Sequence, residues 1–389
     1  MNVRQPVSRR RFFGGVAATA GVLGLSRIDV FAQAQTQQFS GADSDYDRYI
    51  KLASNENNWG PPESVMKAMN GAWKYANRYG NPDGNVMQEI AAHHGVKPEN
   101  VLLTAGSGEV LNVVGTTYLQ GGKKVIGADP SYGSVYQHAS NIKAEAVKIP
   151  LLKDYRQDIP GMIEAANKHA AAVGFFYLCN PNNPTGRVVT AAEVKQVIEG
   201  IPKTMPILID EAYHHYVDDP AYATAMPYVR EGRPVIVART FSKIAALAAM
   251  RIGYAVAPAE MIRQMRVYSM GSVNVLAKWG AVASLKDTAA QADVKAKTIA
   301  NRNKTTRELE AWGYPTIPSQ TNFFMVSLEG RTVQPVIQEF RQKGILVGRP
   351  FPPMLNHLRV SVGTAEDMDK FVAAFKELFP KKTATTVAG

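Results

Sequence analysis

From about residue 97 the chain alternates short apolar runs, rich in β-branched residues, with longer stretches of helical period. The runs fall at 101–104, 124–127, 146–149, 173–179, 207–210, 235–238 and 252–256. They are continuously apolar instead of alternating, and Gly or Pro bounds them. That pattern predicts strands buried on both faces, in a mostly parallel sheet flanked by helices. Near Tyr268 the rhythm changes to long polar helices over roughly 278–312. A smaller strand-and-helix unit follows through Val360, and a helix is expected over 366–379. The fold class is therefore α/β, a large domain followed by a smaller α+β domain, as 389 residues allow.

The first 34 residues follow a different plan. Ser8-Arg9-Arg10-Arg11-Phe12-Phe13 precedes a weakly apolar stretch from Gly14 to Leu25, and Ala32-Gln33-Ala34 then supplies small residues. Basic, apolar and small-residue zones in that order describe an export signal, and the paired arginines resemble the twin-arginine class. A plain basic tail is the alternative. The apolar stretch is too short to remain as a membrane span. Expected boundaries are 1–34 for the signal, 35–76 for an N-terminal arm packing on the small domain, 77–270 for the large domain and 271–389 for the small one. The mature protein is expected to be periplasmic, with no membrane attachment.

Composition adds little that is specific. The chain is 46% hydrophobic and 20% charged, as in ordinary globular proteins. Its formal charge is +11, but five arginines against Asp29 put +4 in the first 34 residues, leaving +7. The remaining basic residues are scattered, so a solvated surface is expected and not a nucleic-acid partner. Cys179, the single cysteine, excludes an intrachain disulfide and lies in an apolar run that reads as a buried strand. The seven histidines show no ligand spacing, and no metal site is expected.

Several polar residues stand where strands of the large domain should end, which is where open parallel sheets bind ligands. Asp210 follows Ile207-Leu208-Ile209, Asn183 follows the 173–179 run, and Thr240-Phe241-Ser242-Lys243 follows 235–238. Asp210 and Lys243 alone fit either a site or a structural ion pair. Thr104-Ala105-Gly106-Ser107-Gly108-Glu109 then joins a strand to a helix, and its small residues can cradle an anion at the helix start. An anion cradle, a crevice lysine and a buried aspartate together match pyridoxal 5′-phosphate. That cofactor needs a phosphate cup, an amine for its aldehyde and a carboxylate for its ring nitrogen.

Asn180-Pro181-Asn182-Asn183-Pro184-Thr185-Gly186, Asp210-Glu211-Ala212-Tyr213 and Ser242-Lys243 with Arg251 eight residues on resemble fold-type I, class I/II aminotransferases. Leu52-Ala53-Ser54-Asn55-Glu56-Asn57, Pro130-Ser131-Tyr132-Gly133 and Leu358-Arg359-Val360-Ser361-Val362-Gly363-Thr364 resemble the histidinol-phosphate aminotransferase branch. The resemblance runs in order over about 50–380. It implies a ping-pong transaminase in which Lys243 holds the cofactor as a Schiff base and carries protons. Asp210 would pair with the ring nitrogen, and Tyr213 and Asn183 with the 3′-oxygen. Tyr132 would stack on the ring, while Gly106, Ser107, Gly108, Ser242 and Arg251 would bind the phosphate. Tyr79 would reach the phosphate of a partner subunit, which implies a homodimer. Tyr79 and Tyr132 also fit plain core aromatics. Arg359 would clamp the substrate carboxylate, with Asn55, Trp59 and Arg349 as further substrate contacts.

The chain departs from that branch in places. Asn57-Asn58-Trp59-Gly60 replaces a turn whose tyrosine helps hold a distal phosphate, and an indole suits an aromatic or apolar side chain at least as well. Arg349 is displaced by one position, and His214 and His215 read as pocket-edge or packing residues. These departures, with the export signal, favour an L-amino acid as donor and a 2-oxo acid as acceptor over histidinol phosphate. A decarboxylase or racemase on the same fold is the alternative, because motifs do not settle which Cα bond is broken.

Overall fold

The computed structural model describes residues 46–382; the expected export signal lies outside them. Seven strands form the principal sheet: β2 (Val101–Thr104), β3 (Lys124–Asp129), β4 (Glu145–Pro150), β5 (Val173–Cys179), β6 (Ile207–Asp210), β7 (Val235–Thr240) and β8 (Gly253–Val256). Their order is β2-β8-β7-β6-β5-β3-β4, with β8 antiparallel to both neighbours and the others parallel. All seven residues of β5 are buried, which is why that run is continuously apolar: helices cover both faces. One face carries Phe176, Leu178, Ile207 and Ile209, and the other Phe175, Tyr177, Leu208 and Ile236. Cys179 is buried in this strand, and burial pushes its thiol up to about 12, so it serves packing.

A second core lies around a three-stranded antiparallel sheet, β12-β10-β9, made of β9 (Thr316–Ile317), β10 (Phe323–Ser327) and β12 (His357–Ser361). Phe340, Phe371, Phe375 and Phe379 form a chain of ring contacts in this core. A short parallel pair, β1 (Ile50–Leu52) with β11 (Ile345–Val347), closes its side and buries Leu52 there. The Glu63–Ala72 helix instead packs on the Val275–Lys286 helix in the larger core, so the segment expected to lie on the small domain serves both cores. The Thr288–Ala311 helix does the same, with Val294 in the first core and Leu309 in the second. The polar stretch expected as helix over 278–312 is thus two helices. They part at Asp287, whose carboxylate accepts from Ala290 N–H and caps the second. No helix of the described residues is long and apolar enough to cross a membrane.

Candidate active site

Parallel strands β5, β6 and β7 end side by side, and their registers place Cys179 beside Asp210 and Asp210 beside Ala238. The polar residues that follow these ends therefore share one crevice. Asp210 is 2% exposed, and its Oδ1 accepts from Ala212 N–H at 3.1 Å. Burial raises its carboxyl to about 7 against that hydrogen bond, with Glu211 adding to the rise and Lys243 opposing it. A carboxylate held this way is stabilised by an incoming N–H cation.

Lys243 follows β7 on a turn fixed by Thr240, which accepts from Ser242 N–H at 3.1 Å and donates to Ser242 Oγ at 2.9 Å. Its Nζ donates to the Ser54 carbonyl at 3.2 Å and lies 5.6 Å from the Tyr213 ring centre. Burial lowers it to about 8, helped by Arg359 and opposed by Glu56. An amine in that range is a usable nucleophile and proton carrier near neutral pH.

The anion cradle forms where β2 meets the Ser107–Tyr118 helix. Gly106 has φ +86, and no side chain caps the helix. A Cβ on Gly106 would lie 2.4 Å from Arg251 Nη2, while one on Gly253 would lie 2.5 Å from Ser107 N. Only glycines let the helix start, β8 and the guanidinium approach this closely. Arg251, itself at φ +51, donates from Nη1 to Ser242 Oγ at 3.4 Å and to the Ala248 carbonyl at 2.8 Å. Backbone N–H groups, two hydroxyls and a guanidinium are the donors a phosphate needs. The space beside Gly108 is open.

Arg359, on β12, is 6% exposed and is flanked by Phe351 and Phe323, whose ring centres lie 4.5 and 5.4 Å from its Cζ. Nη1 donates to Asn183 Oδ1 at 2.8 Å and Nη2 to the Ala53 carbonyl at 2.7 Å, while Nε is buried without a hydrogen-bond partner. Burial lowers it to about 10, so a bound carboxylate would relieve both deficits. Tyr213 Oη accepts from Asn55 Nδ2 at 3.0 Å and from Asn183 Nδ2 at 3.4 Å.

Most of the expected residues thus converge around Lys243, and Asn55 is the one placed differently from the expectation. Asn55 is 1% exposed with both amide atoms engaged by protein, so it is not open to a substrate. Trp59 is half-buried against the larger core. It sits in a turn that Asn57 fastens beside Lys243 by donating to the Ile244 carbonyl at 3.0 Å. Tyr79 is fully exposed on the single chain. Tyr132 is half-buried, and burial, then Asp210, raises its hydroxyl. Arg349 lies 4.2 Å over the Phe351 ring and lowers Arg359 electrostatically, which brings it to the same crevice. His214 and His215 pack as expected: His214 bonds Arg239, whose buried partner is Glu211 at 2.6 Å, and burial holds both imidazoles well below their ordinary value. No group of potential metal ligands occurs among the described residues.

The motifs that contain Ser361 and Glu211 gave no sign of the Ser361–Asn55 bond or the Glu211–Arg239 pair. Ser361 is two residues beyond Arg359 on one strand, hence on the same face; that spacing was the available signal.

Residues 47–375 match the family aminotransferase class I and II, and the chain belongs to that family. Histidinol-phosphate aminotransferase of Moorella thermoacetica is 36% identical over 85% of each chain, and that of Caldicellulosiruptor saccharolyticus 34% identical over 85% of this chain and 92% of its own. The solved histidinol-phosphate aminotransferase of Sinorhizobium meliloti, in complex with pyridoxal-5′-phosphate, superposes with a TM-score of 0.79 at 25% identity, covering 91% of this chain and 99% of its own. The chain is accordingly a pyridoxal-phosphate-dependent transaminase of fold type I. Its buried Asp210, the glycine-walled cradle at Arg251 and the lowered Lys243 fit that cofactor.

Proposed function

We propose that this transaminase is exported, works as a homodimer, and moves an amino group from an L-amino acid, or an amine of the histidinol-phosphate kind, to a 2-oxo acid. The observation that carries the reading is the half-buried Lys243 amine, lowered to about 8, in one crevice with Asp210, Tyr213 and Arg359. Pyridoxal phosphate, when bound, supplies an electron sink for the pair left at the substrate Cα. Residues of the chain do the rest. Arg359 orients the substrate by its carboxylate, and Asp210 keeps a proton on the ring nitrogen. Lys243 Nζ would take the proton from the substrate Cα and return it to the cofactor's C4′, two bonds away. The phenylalanines beside Arg359 exclude water from that ion pair.

An L-amino acid is favoured over phosphorylated histidinol as donor because Trp59 offers no hydroxyl to a distal phosphate. Export is supported by the arginine pair and small-residue site before Gln35, and dimerisation by a fully exposed Tyr79 with Trp73 and Met270 also exposed. N-terminal sequencing of the periplasmic fraction and sedimentation of the purified protein check these two points: starts near Gln35 and twice the chain mass are expected, full-length cytoplasmic monomers the contrary.

For the reaction, the loaded protein is mixed with single L-amino acids and no acceptor. Conversion of the visible band with release of one equivalent of 2-oxo acid is expected. Carbon dioxide release, or loss of optical activity without oxo acid, would instead make it a decarboxylase or racemase.

A further inference from the structure

Asn55 stands where the N-terminal arm, β12 and the crevice meet. It is buried and held at φ +54, a conformation few side chains other than Gly, Asn and Asp adopt readily. Its backbone N–H donates to Ser361 Oγ at 2.8 Å, and its carbonyl accepts from Asn322 Nδ2 at 3.0 Å. Its side chain joins Ser361 to Tyr213: Ser361 Oγ donates to Asn55 Oδ1 at 3.1 Å, and Asn55 Nδ2 donates to Tyr213 Oη at 3.0 Å.

The direction of these bonds follows from what each partner can do. Arg359 has only donors, so Asn183 must turn its oxygen to Arg359 and its Nδ2 to Tyr213. Ser361 is 1% exposed, and its hydroxyl hydrogen needs an acceptor. Asn55 Oδ1 is that acceptor, which leaves Asn55 Nδ2 facing the phenol. Both lone pairs of Tyr213 Oη are then filled by amide hydrogens. Its own hydrogen has one remaining direction, outward into the crevice.

We propose that Asn55 is a positioning residue that keeps the Tyr213 hydroxyl a donor toward the cofactor's ring oxygen. This rests on the reading of the crevice as the pyridoxal-phosphate site. A hydroxyl that donates to that oxygen stabilises its negative charge, so the Lys243-bound cofactor gives up its own proton at lower pH. Reversing the hydroxyl removes that effect while leaving the phenol in place. The orientation of a single amide would thereby set the pH at which the resting enzyme is ready for substrate.

Two substitutions separate direction from shape. Asn55→Asp keeps the size and the bond from Ser361, but its carboxylate accepts the phenolic hydrogen. Asn55→Gly suits φ +54 and removes the side chain, so it guards against a folding defect. The experiment is a pH titration of the visible band of the loaded protein, with Tyr213→Phe and the Asn55→Asp, Tyr213→Phe double variant alongside. Asn55→Asp is expected to raise the apparent pKa by about one unit, comparably to Tyr213→Phe, and Asn55→Gly by about half that, because both work through one hydroxyl. In the double variant the Asn55→Asp increment should largely vanish. An increment that persists without the hydroxyl would assign the effect to through-space charge and overturn the proposal, as would an unshifted titration in both Asn55 variants. If the parent protein shows no lysine-bound visible band at all, the reading of the crevice itself fails, a result distinct from either.

Discussion

Asp210 ends β6 with one backbone N–H on its carboxylate and a full shell of protein around it. Its folded-state value of about 7 lies above the ordinary 3.8. The folded, cofactor-free chain therefore keeps a proton that the unfolded chain releases between about pH 4 and 7. Stability from this group is fully present below about pH 4 and is lost as pH rises through about 7. Asp210→Asn removes that titration while keeping an acceptor for Ala212. At pH 8 the cofactor-free variant should be more stable than the parent by up to about 3–4 kcal/mol, a gap that closes toward pH 4. Denaturant midpoints at the two pH values measure it, and a gap independent of pH would contradict the account. The same variant should retain pyridoxal phosphate less well, because an amide gives the ring nitrogen no counter-charge. Stability and function thus pull in opposite directions at this residue, as they do at Arg359 with its buried, unpartnered Nε.

At the scale of elements, the cradle depends on the approach of the Ser107–Tyr118 helix to β8 and Arg251. Gly106→Ala would place a methyl within 2.4 Å of Arg251 Nη2 at a φ of +86 that alanine resists. The guanidinium would have to move, and it is the cradle's charged donor. Equilibrium dialysis with pyridoxal phosphate should show affinity lower by tenfold or more, about 1.4 kcal/mol, the scale of one weakened charge-assisted bond; unchanged affinity would remove Gly106 and Arg251 from the phosphate site. The strands of the principal sheet were legible in the sequence because strands buried on both faces are written as unbroken apolar runs, as in Val173–Cys179. The β1–β11 pair was not. It is three residues long and joins Ile50 to Ile345, and nothing local in either segment marks a partner so distant. The break at Asp287 was hidden for a different reason. A cap needs one carboxylate and one turn, and it leaves the polar pattern on both sides unchanged.

For the whole molecule, the crevice is assembled from the arm, the ends of three central strands and β12, so that Asn55 meets Ser361 across 306 positions. The residues meeting there were recognisable singly from their motifs and their places at strand ends. Their interlocking was not, because it depends on how the second core seats β12 against the arm. Asn55 illustrates the difference. As a polar residue in a site motif it reads as a substrate contact, but folding buries it and commits both amide atoms to protein. Lys243 shows the converse, since its strand-end position and its neighbours in sequence already indicated the crevice in which the fold places it. The central claim is that this lysine, among all those of the chain, carries the cofactor. Loading the purified protein with pyridoxal phosphate, reducing with borohydride and mapping the adduct by peptide mass spectrometry tests it most directly. The adduct is expected on the peptide containing Lys243 and should be absent from Lys243→Ala. A stoichiometric adduct on a different lysine, or one that survives Lys243→Ala undiminished, would contradict the account.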